Sequence, residues 1–201
     1  VKMKPIRSLA TIKPFPMAVL AGALIALSVS TLRPAQAAAF PDRPITLVVA
    51  WDAGGATDLV ARAIQPVLSK TLGADLVVKN IAGASGTIGT AEAARAKPDG
   101  YTVLVTPTGP MTTQPHLRKI PYDLDSFDAV GRVAVTEVAM MAPKDSPFKT
   151  VQDVIAAAKA DPGKIKFGSA GAGTLPHVCI LALNKAAGID TKHIPYKGSA
   201  N

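Results

Sequence analysis

PITLVVAWDAGGATDLVAR, residues 44–62, is the stretch from which the rest of the chain can be read. Ile45 to Val49 is a β-branched and apolar run suited to a buried strand. Gly54 and Gly55 break it, and from Thr57 onward Leu59, Val60, Ala63, Ile64 and Val67 recur at helical spacing. The expected unit is therefore a strand, a tight glycine turn and a helix. The first N–H groups of a helix have no intrahelical partner, and the helix dipole places partial positive charge there. Two glycines without side chains let an anion approach that backbone closely. An ordinary βα connection with nothing bound has the same pattern, so the turn by itself leaves both readings open.

Outward from this unit the pattern repeats. The helix is expected to end at Leu72-Gly73, where glycine can take the left-handed cap. Asp75 to Lys79 reads as a second strand. Gly83, Gly86 and Gly89 are spaced G-x-x-G-x-x-G, which is not the dinucleotide fingerprint, and lead into a helix over Ile88 to Ala96. Tyr101 to Val105 is a third strand, followed by the loop Thr106-Pro107-Thr108-Gly109-Pro110. After the acidic connection from Asp123 to Asp128, the β-branched run Ala129 to Ala142 predicts one or two strands passing between domains. Pro143 to Pro147 marks a boundary. Val151 to Ala160 is an amphipathic helix that Thr150 or Ser146 can cap. Lys166 to Ser169 is a strand, Ala170-Gly171-Ala172-Gly173-Thr174 a second glycine turn, and Leu175 to Ala187 a helix. His193 to Tyr196 is a last strand before a loop. The strand–glycine turn–helix unit thus occurs once in each half, and two such turns facing each other can grip one anion from both sides. Strands alternating with helices imply parallel sheets, with ligands beyond the strand carboxyl ends.

The 201 residues suit one ordinary domain or two small ones. Lys2, Lys4, Arg7 and Lys13 precede an apolar run from Phe15 to Leu32, and Ala35-Gln36-Ala37 follows. A charged start, an apolar stretch and an A-x-A site predict a secretory signal over residues 1–37, cleaved before Ala38. A retained membrane anchor is the rival reading, but Met17 to Val29 is short for a bilayer span. The expected division is then a first α/β domain over 38–142 and part of a second over 143–201. Residues 1–37 hold five basic residues and no acids; without them, 17 of the 22 basic residues remain against 14 acidic ones, a net of +3. Basic and acidic residues are interspersed and aromatics few, which gives nucleic-acid binding no support.

Cys179 is the only cysteine, so no internal disulfide is expected; set among Val178, Ile180 and Leu181, it reads as a buried small hydrophobe. A thiol at Cys179 and a base at His177 would lie two apart on a helix and point away from each other. No G-x-S-x-G elbow or metal-ligand cluster is present, so neither catalysis nor a metal or cofactor is expected.

FPDRPITLVV, AGGATD, NIAGASGTIGT, ARAKPDGYTVLV, the helix after SPFKTVQDV, FGSAGAGTLPH and HIPYKGSA occur in this order from Phe40 onward. Together they resemble the substrate-binding proteins of tripartite tricarboxylate transporters, the Bug family. The resemblance implies a periplasmic-binding-protein fold of the Venus-flytrap, type II-like kind, with two parallel-sheet α/β domains. It implies a periplasmic monomer, exported by the signal, that captures a small carboxylate and delivers it to the permease subunits of a tripartite tricarboxylate transporter. It also implies that family members continue past residue 201, leaving the second domain and the chain return incomplete here. The ligand residues it carries over are Ala53, Gly54, Gly55, Ala56, Thr57 and Asp58 in the first turn. In the second they are Ser169, Gly171, Gly173, Thr174 and His177, with Thr108 and Lys197 on further cleft walls. Ala50 and Asp52 stand where the family has prolines, and Asp52 adds negative charge beside the first turn.

Several of these residues have a second reading. Asp58 can serve the helix dipole instead of a ligand, His177 can buttress the loop, and Lys197 can be solvated. The Thr174 hydroxyl can cap the helix or donate to a carboxylate. Trp51 can wall the cleft or simply pack. The rival functions are an exported module that presents its ligand to a membrane sensor, and a hydrolase built on His177 with Cys179 or a serine.

Overall fold

The computed structural model describes residues 39–200, so the expected signal segment lies outside the described residues. Strand β1, Ile45–Val49, is buried almost throughout, as a run apolar on both faces requires. It sits at the centre of a parallel sheet between β2, Leu76–Asn80, and β3, Thr102–Val105. Leu47 pairs with Val78 on one side and Val103 on the other. Helix α1, Ala56–Leu72, connects β1 to β2 and ends as expected at Gly73, whose φ of 66° is the left-handed cap. The core lies against β1: Ile45, Leu47 and Leu76 pack with Leu68, while Val49, Ala50 and Trp51 pack with Ala61.

Helix α2, Thr87–Ala94, returns across the sheet toward β3. It approaches so closely that a Cβ on Gly89 would lie 2.7 Å from Ala50 Cα and against the carbonyl oxygen of Ile81. Both neighbours are backbone and have little room to move. Gly89→Ala is therefore expected to destabilise the fold by about 1–3 kcal/mol, measured as a lower urea midpoint. An unchanged midpoint would show that the helix can slide.

Two expectations change in the middle of the chain. The loop read at Thr106 to Pro110 runs into a short helix, α3, Gly109–Thr112, and a second, α4, Gln114–Leu117, follows it; each has a proline in its first turn. Residues 129–142 form no strand and are largely exposed, Val130 by 90% and Met141 by 89%. Strand formation needs a neighbour to complete the hydrogen-bond ladder, and β-branched composition alone supplies none.

Helix α5, Val151–Ala160, leads into the second sheet. The expected Thr150 cap is present: its hydroxyl accepts from the Asp153 N–H, and the Asp153 carboxylate accepts from the Thr150 N–H in return. The sheet pairs β4, Lys166–Ser169, in parallel with β5, Lys192–Pro195. Helix α6, Leu175–Ala187, makes the crossover and ends at Gly188, again left-handed.

Candidate functional site

Every strand end in the two sheets runs into a loop bearing glycine, and these loops touch one another. A Cβ on Gly86 would lie 3.0 Å from the Trp51 ring, and one on Gly198 would lie 3.7 Å from the same ring. A Cβ on Gly171 would meet Ser85 Oγ at 2.7 Å and the Tyr196 carbonyl at 3.4 Å. One on Gly109 would stand 3.7 Å from Thr174 Cα. The loops after β1, β2, β3, β4 and β5 thus form one cluster at the strand carboxyl ends, where parallel sheets place ligands.

The first turn is braced from below. Asp58 is 1% exposed and accepts from three donors: the Gly54 N–H and Arg62 Nε, both at 2.8 Å on Oδ2, and Asn80 Nδ2 at 2.9 Å on Oδ1. The Arg62 hydrogen bond is the main reason its carboxyl is held down to about 2; burial opposes this, while the Gly54 amide and Asn80 assist. Asn80 also donates to the Trp51 carbonyl at 3.0 Å, tying the turn to the end of β2. Gly54 takes a φ of 80°, open to glycine at little strain. The Ala56 N–H, at the start of α1, donates to Ser199 Oγ at 2.9 Å. Ala53, Gly54 and Ala56 are exposed, Thr57 is half-buried, and Gly55 and Asp58 are buried.

The second turn folds around a carbonyl. Thr174 Oγ1 donates to Gly171 O at 2.7 Å, and Ser169 Oγ lies 3.0 Å from the same oxygen. Thr174 occupies the N-cap position of α6, but its side chain makes no capping hydrogen bond, which corrects the capping alternative: the hydroxyl turns back onto the loop. The Gly173 N–H donates to His177 Nδ1 at 3.0 Å, and Ser169 Oγ lies 2.7 Å from His193 Nε2. His177 and His193 stack with centroids 3.9 Å apart, and Phe167 stacks on His193 at 4.9 Å. Burial holds both imidazoles below the ordinary histidine range, and His177 lowers His193 further by charge repulsion. Ser169, Gly171, Gly173 and Thr174 are buried, and His177 is half-buried.

The remaining carried-over residues lie further out. Thr108 is exposed, and its carbonyl accepts from the Met111 and Thr112 amides of α3. Lys197 is exposed. Trp51 is buried, with its indole N–H unpartnered among the described residues. Cys179 is exposed, against the expectation of burial. Its neighbours Val178 and Leu181 also face outward, while Ile180 takes the buried face of α6. His177 meanwhile faces the glycine turn, so thiol and imidazole do not form a pair.

Three residues of the cluster, Thr113, Gln114 and His193, escaped the sequence reading. Thr113 Oγ1 donates to the Gly173 carbonyl at 2.7 Å, and Gln114 Nε2 to the Ala172 carbonyl at 2.8 Å. Gln114 is fully buried and its Oε1 has no partner among the described residues. His193 was read only as part of a strand, while Ser199 lies on the loop after that strand, expected from the resemblance as a cleft wall. The buried polar residue Gln114 is followed directly by Pro115 and His116, a pattern that reads locally as a turn. No group of three or more metal-ligating side chains gathers among the described residues. Two open grooves, of about 240 and 280 Å³, lie beside Thr46 and Thr102, which line both, rather than at the loop cluster.

A family model described as the tripartite tricarboxylate transporter family receptor matches residues 60–201. A UPF0065 protein from the tcbD–tcbE intergenic region of Pseudomonas sp. strain P51 is 38% identical over 183 residues, 90% of this chain and 54% of that protein. Among solved structures, MatC from Rhodopseudomonas palustris with bound malate has a TM-score of 0.71 at 30% identity, covering 80% of this chain and 55% of MatC. An R. palustris protein with adipate has a TM-score of 0.67 at 30% identity, with the same two coverages of 80% and 55%. The periplasmic binding protein BugD has a TM-score of 0.62 at 35% identity, covering 80% of this chain and 54% of BugD. The chain spans about half the length of the proteins it matches.

Proposed function

The chain belongs to the tripartite tricarboxylate transporter receptor family, and on that premise we propose that its loop cluster holds a small carboxylate. One observation carries the reading: two strand–glycine turn–helix units, each opening on a helix N-terminus, meet in a single cluster. Neither helix start has an arginine or lysine buried beside it among the described residues, so the anion is held by the helix-start backbone N–H groups that the bracing hydrogen bonds leave free. Small dicarboxylates are the favoured class, because malate and adipate occupy two relatives of the same fold. Gly54, Gly55, Ala56 and Thr57 supply one wall and Gly171, Gly173 and Thr174 the other. Asp58 and His177 hold those walls in shape, with Thr108 and Lys197 at the rim. The two halves, 38–142 and 143–201, close on the ligand as lobes.

In this reading residues 1–37 export the protein to the periplasm, where it works as a monomer. It hands its ligand to the membrane permease subunits of a tripartite tricarboxylate-type transporter and performs no chemistry on it. Calorimetric titration of the intact protein at pH 7.5 against malate, adipate, citrate, glutamate and glucose tests this. At least one carboxylate is expected to bind with a Kd in the micromolar range, about −8 kcal/mol. Binding of glucose alone would overturn the carboxylate reading.

A further inference from the structure

We infer that His177 and His193 form a proton-sensitive clasp, which positions the second glycine turn for ligand only while the His177 ring is neutral. The inference rests on the carboxylate-binding reading of that turn. The clasp is asymmetric. The Gly173 N–H can only donate, so His177 Nδ1 must present a lone pair at 3.0 Å. A proton on that nitrogen breaks the bond and leaves two donors facing each other. The Ser169 hydroxyl can donate or accept, so its 2.7 Å contact with His193 Nε2 survives either protonation state. His177 is therefore the trigger, and His193 is a positioning residue that acts through it.

His193 sits in register with Phe167, and the three rings of Phe167, His177 and His193 stack on one another as a triangle, with His193 against both others. Its stack fixes the plane in which His177 Nδ1 meets the turn. Two imidazoles 3.9 Å apart do not take up charge together, because the first imidazolium repels the second. Other charged groups stand clear of the pair. Lys166 and Lys192, one residue earlier in each strand, alternate to the opposite face and are exposed. His116 and Arg118, beside the α4 contacts to the turn, are exposed, and the turn itself carries no ionisable side chain.

The sign follows from burial, which favours neutral rings and holds both below their ordinary 6.5. The clasp is intact above about pH 6.5 and opens as pH falls through the lowered values. Carboxylate affinity should then fall by up to about tenfold per pH unit for the proton taken up. The turn that loses its brace is the one whose carbonyls Thr113 and Gln114 also hold, so opening at Gly173 loosens that connection as well.

The test compares the intact protein with His177→Asn and His193→Phe between pH 5 and 7.5. Asn places an acceptor where Nδ1 stands but does not titrate, and Phe keeps the stack without a charge. The Gly173 amide is followed by ¹⁵N NMR, the rings by their Cε1 protons, and malate and adipate affinity by calorimetry. In the wild type the Gly173 amide should move with the His177 titration, in two ring steps, and affinity should fall below pH 6. His177→Asn, whatever its affinity at pH 7.5, should lose the extra acid-side fall relative to that value. His193→Phe should leave a single ring step. Comparing variants on the same ligand cancels the ligand's own titration. A Gly173 amide that ignores His177, or a His177→Asn protein with the wild-type pH profile, would overturn the clasp. If neither ligand binds at any pH while Gly173 still follows His177, the clasp stands and the carboxylate reading falls.

Discussion

Gly173→Val is expected to abolish carboxylate binding, with an affinity loss of more than about a hundredfold, while both sheets remain folded. Gly173 has a φ of 73°, where a β-branched residue is strained by about 1–2 kcal/mol. Its Cβ would also press on Leu117 Cδ1 and lie 2.6 Å from Gln114 Nε2. Gln114 is buried and bonded to the adjacent carbonyl of Ala172, so it cannot swing away without leaving a second polar atom unpaired. The turn must then leave the cluster, taking its N–H groups with it. Gly54→Ala is the informative contrast. Gly54 has a φ of 80°, but a Cβ added there would meet nothing within 4 Å, so the variant suffers strain without collision. Its expected loss is about tenfold or less. Calorimetry and far-UV circular dichroism on both variants decide the matter. A folded Gly173→Val protein with wild-type affinity would remove the second turn from the site.

Asp58→Ala is expected to lower stability by roughly 3 kcal/mol and affinity by at least about tenfold. The substitution removes three hydrogen bonds to a buried carboxylate, from the Gly54 N–H, Arg62 Nε and Asn80 Nδ2, where one bond to a charged group contributes about 1.5–3 kcal/mol and Asn80 keeps its bond to the Trp51 carbonyl. For a chain of this size the melting temperature should drop by roughly 6–12 °C. Arg62→Met should do much less, because Arg62 is half-exposed and Asp58 keeps its other two donors. The pH dependence has a definite sign. The Asp58 carboxyl is held at about 2 in the fold against 3.8 when free. Its contribution is therefore complete above about pH 4 and is lost as pH falls through about 2. Acid denaturation of the wild type should show this limb, and Asp58→Ala should lack it. Equal melting temperatures for the two proteins would show that the brace is dispensable.

Much of the scaffold was legible because its signals are local. Helix α5 is legible at both limits, since one of the two candidate caps, Thr150, opens it and Pro162-Gly163 follows its end. Helix α6 was bounded correctly by Thr174 and Gly188, and β4 by the glycine turn that follows it. The two glycine turns were visible for the same reason: in each case strand, glycines and helix are contiguous in sequence, from Ile45 to Leu72 and from Lys166 to Ala187. What binds the turns into one cluster was not visible. Thr113 meets Gly173 across 60 residues, Gln114 meets Ala172 across 58, and Ala56 meets Ser199 across 143. Periodicity carries no information about such pairs. The run at 129–142 failed for the complementary reason: its strand propensity is local, but a strand needs a partner from elsewhere. Cys179 and Thr174 show a finer limit, because local pattern decides neither which face of α6 packs nor which way a hydroxyl turns.

The most direct test of a carboxylate held between the two turns is a ¹H–¹⁵N NMR titration of the intact protein with malate at pH 7.5. Saturable shifts are predicted, largest at the amides of Gly54, Gly55, Ala56, Gly171, Gly173 and Thr174, from both turns at one common Kd. Shifts confined to the groove beside Thr46, Lys79 and Arg95, with both glycine turns unmoved, would contradict the two-turn site.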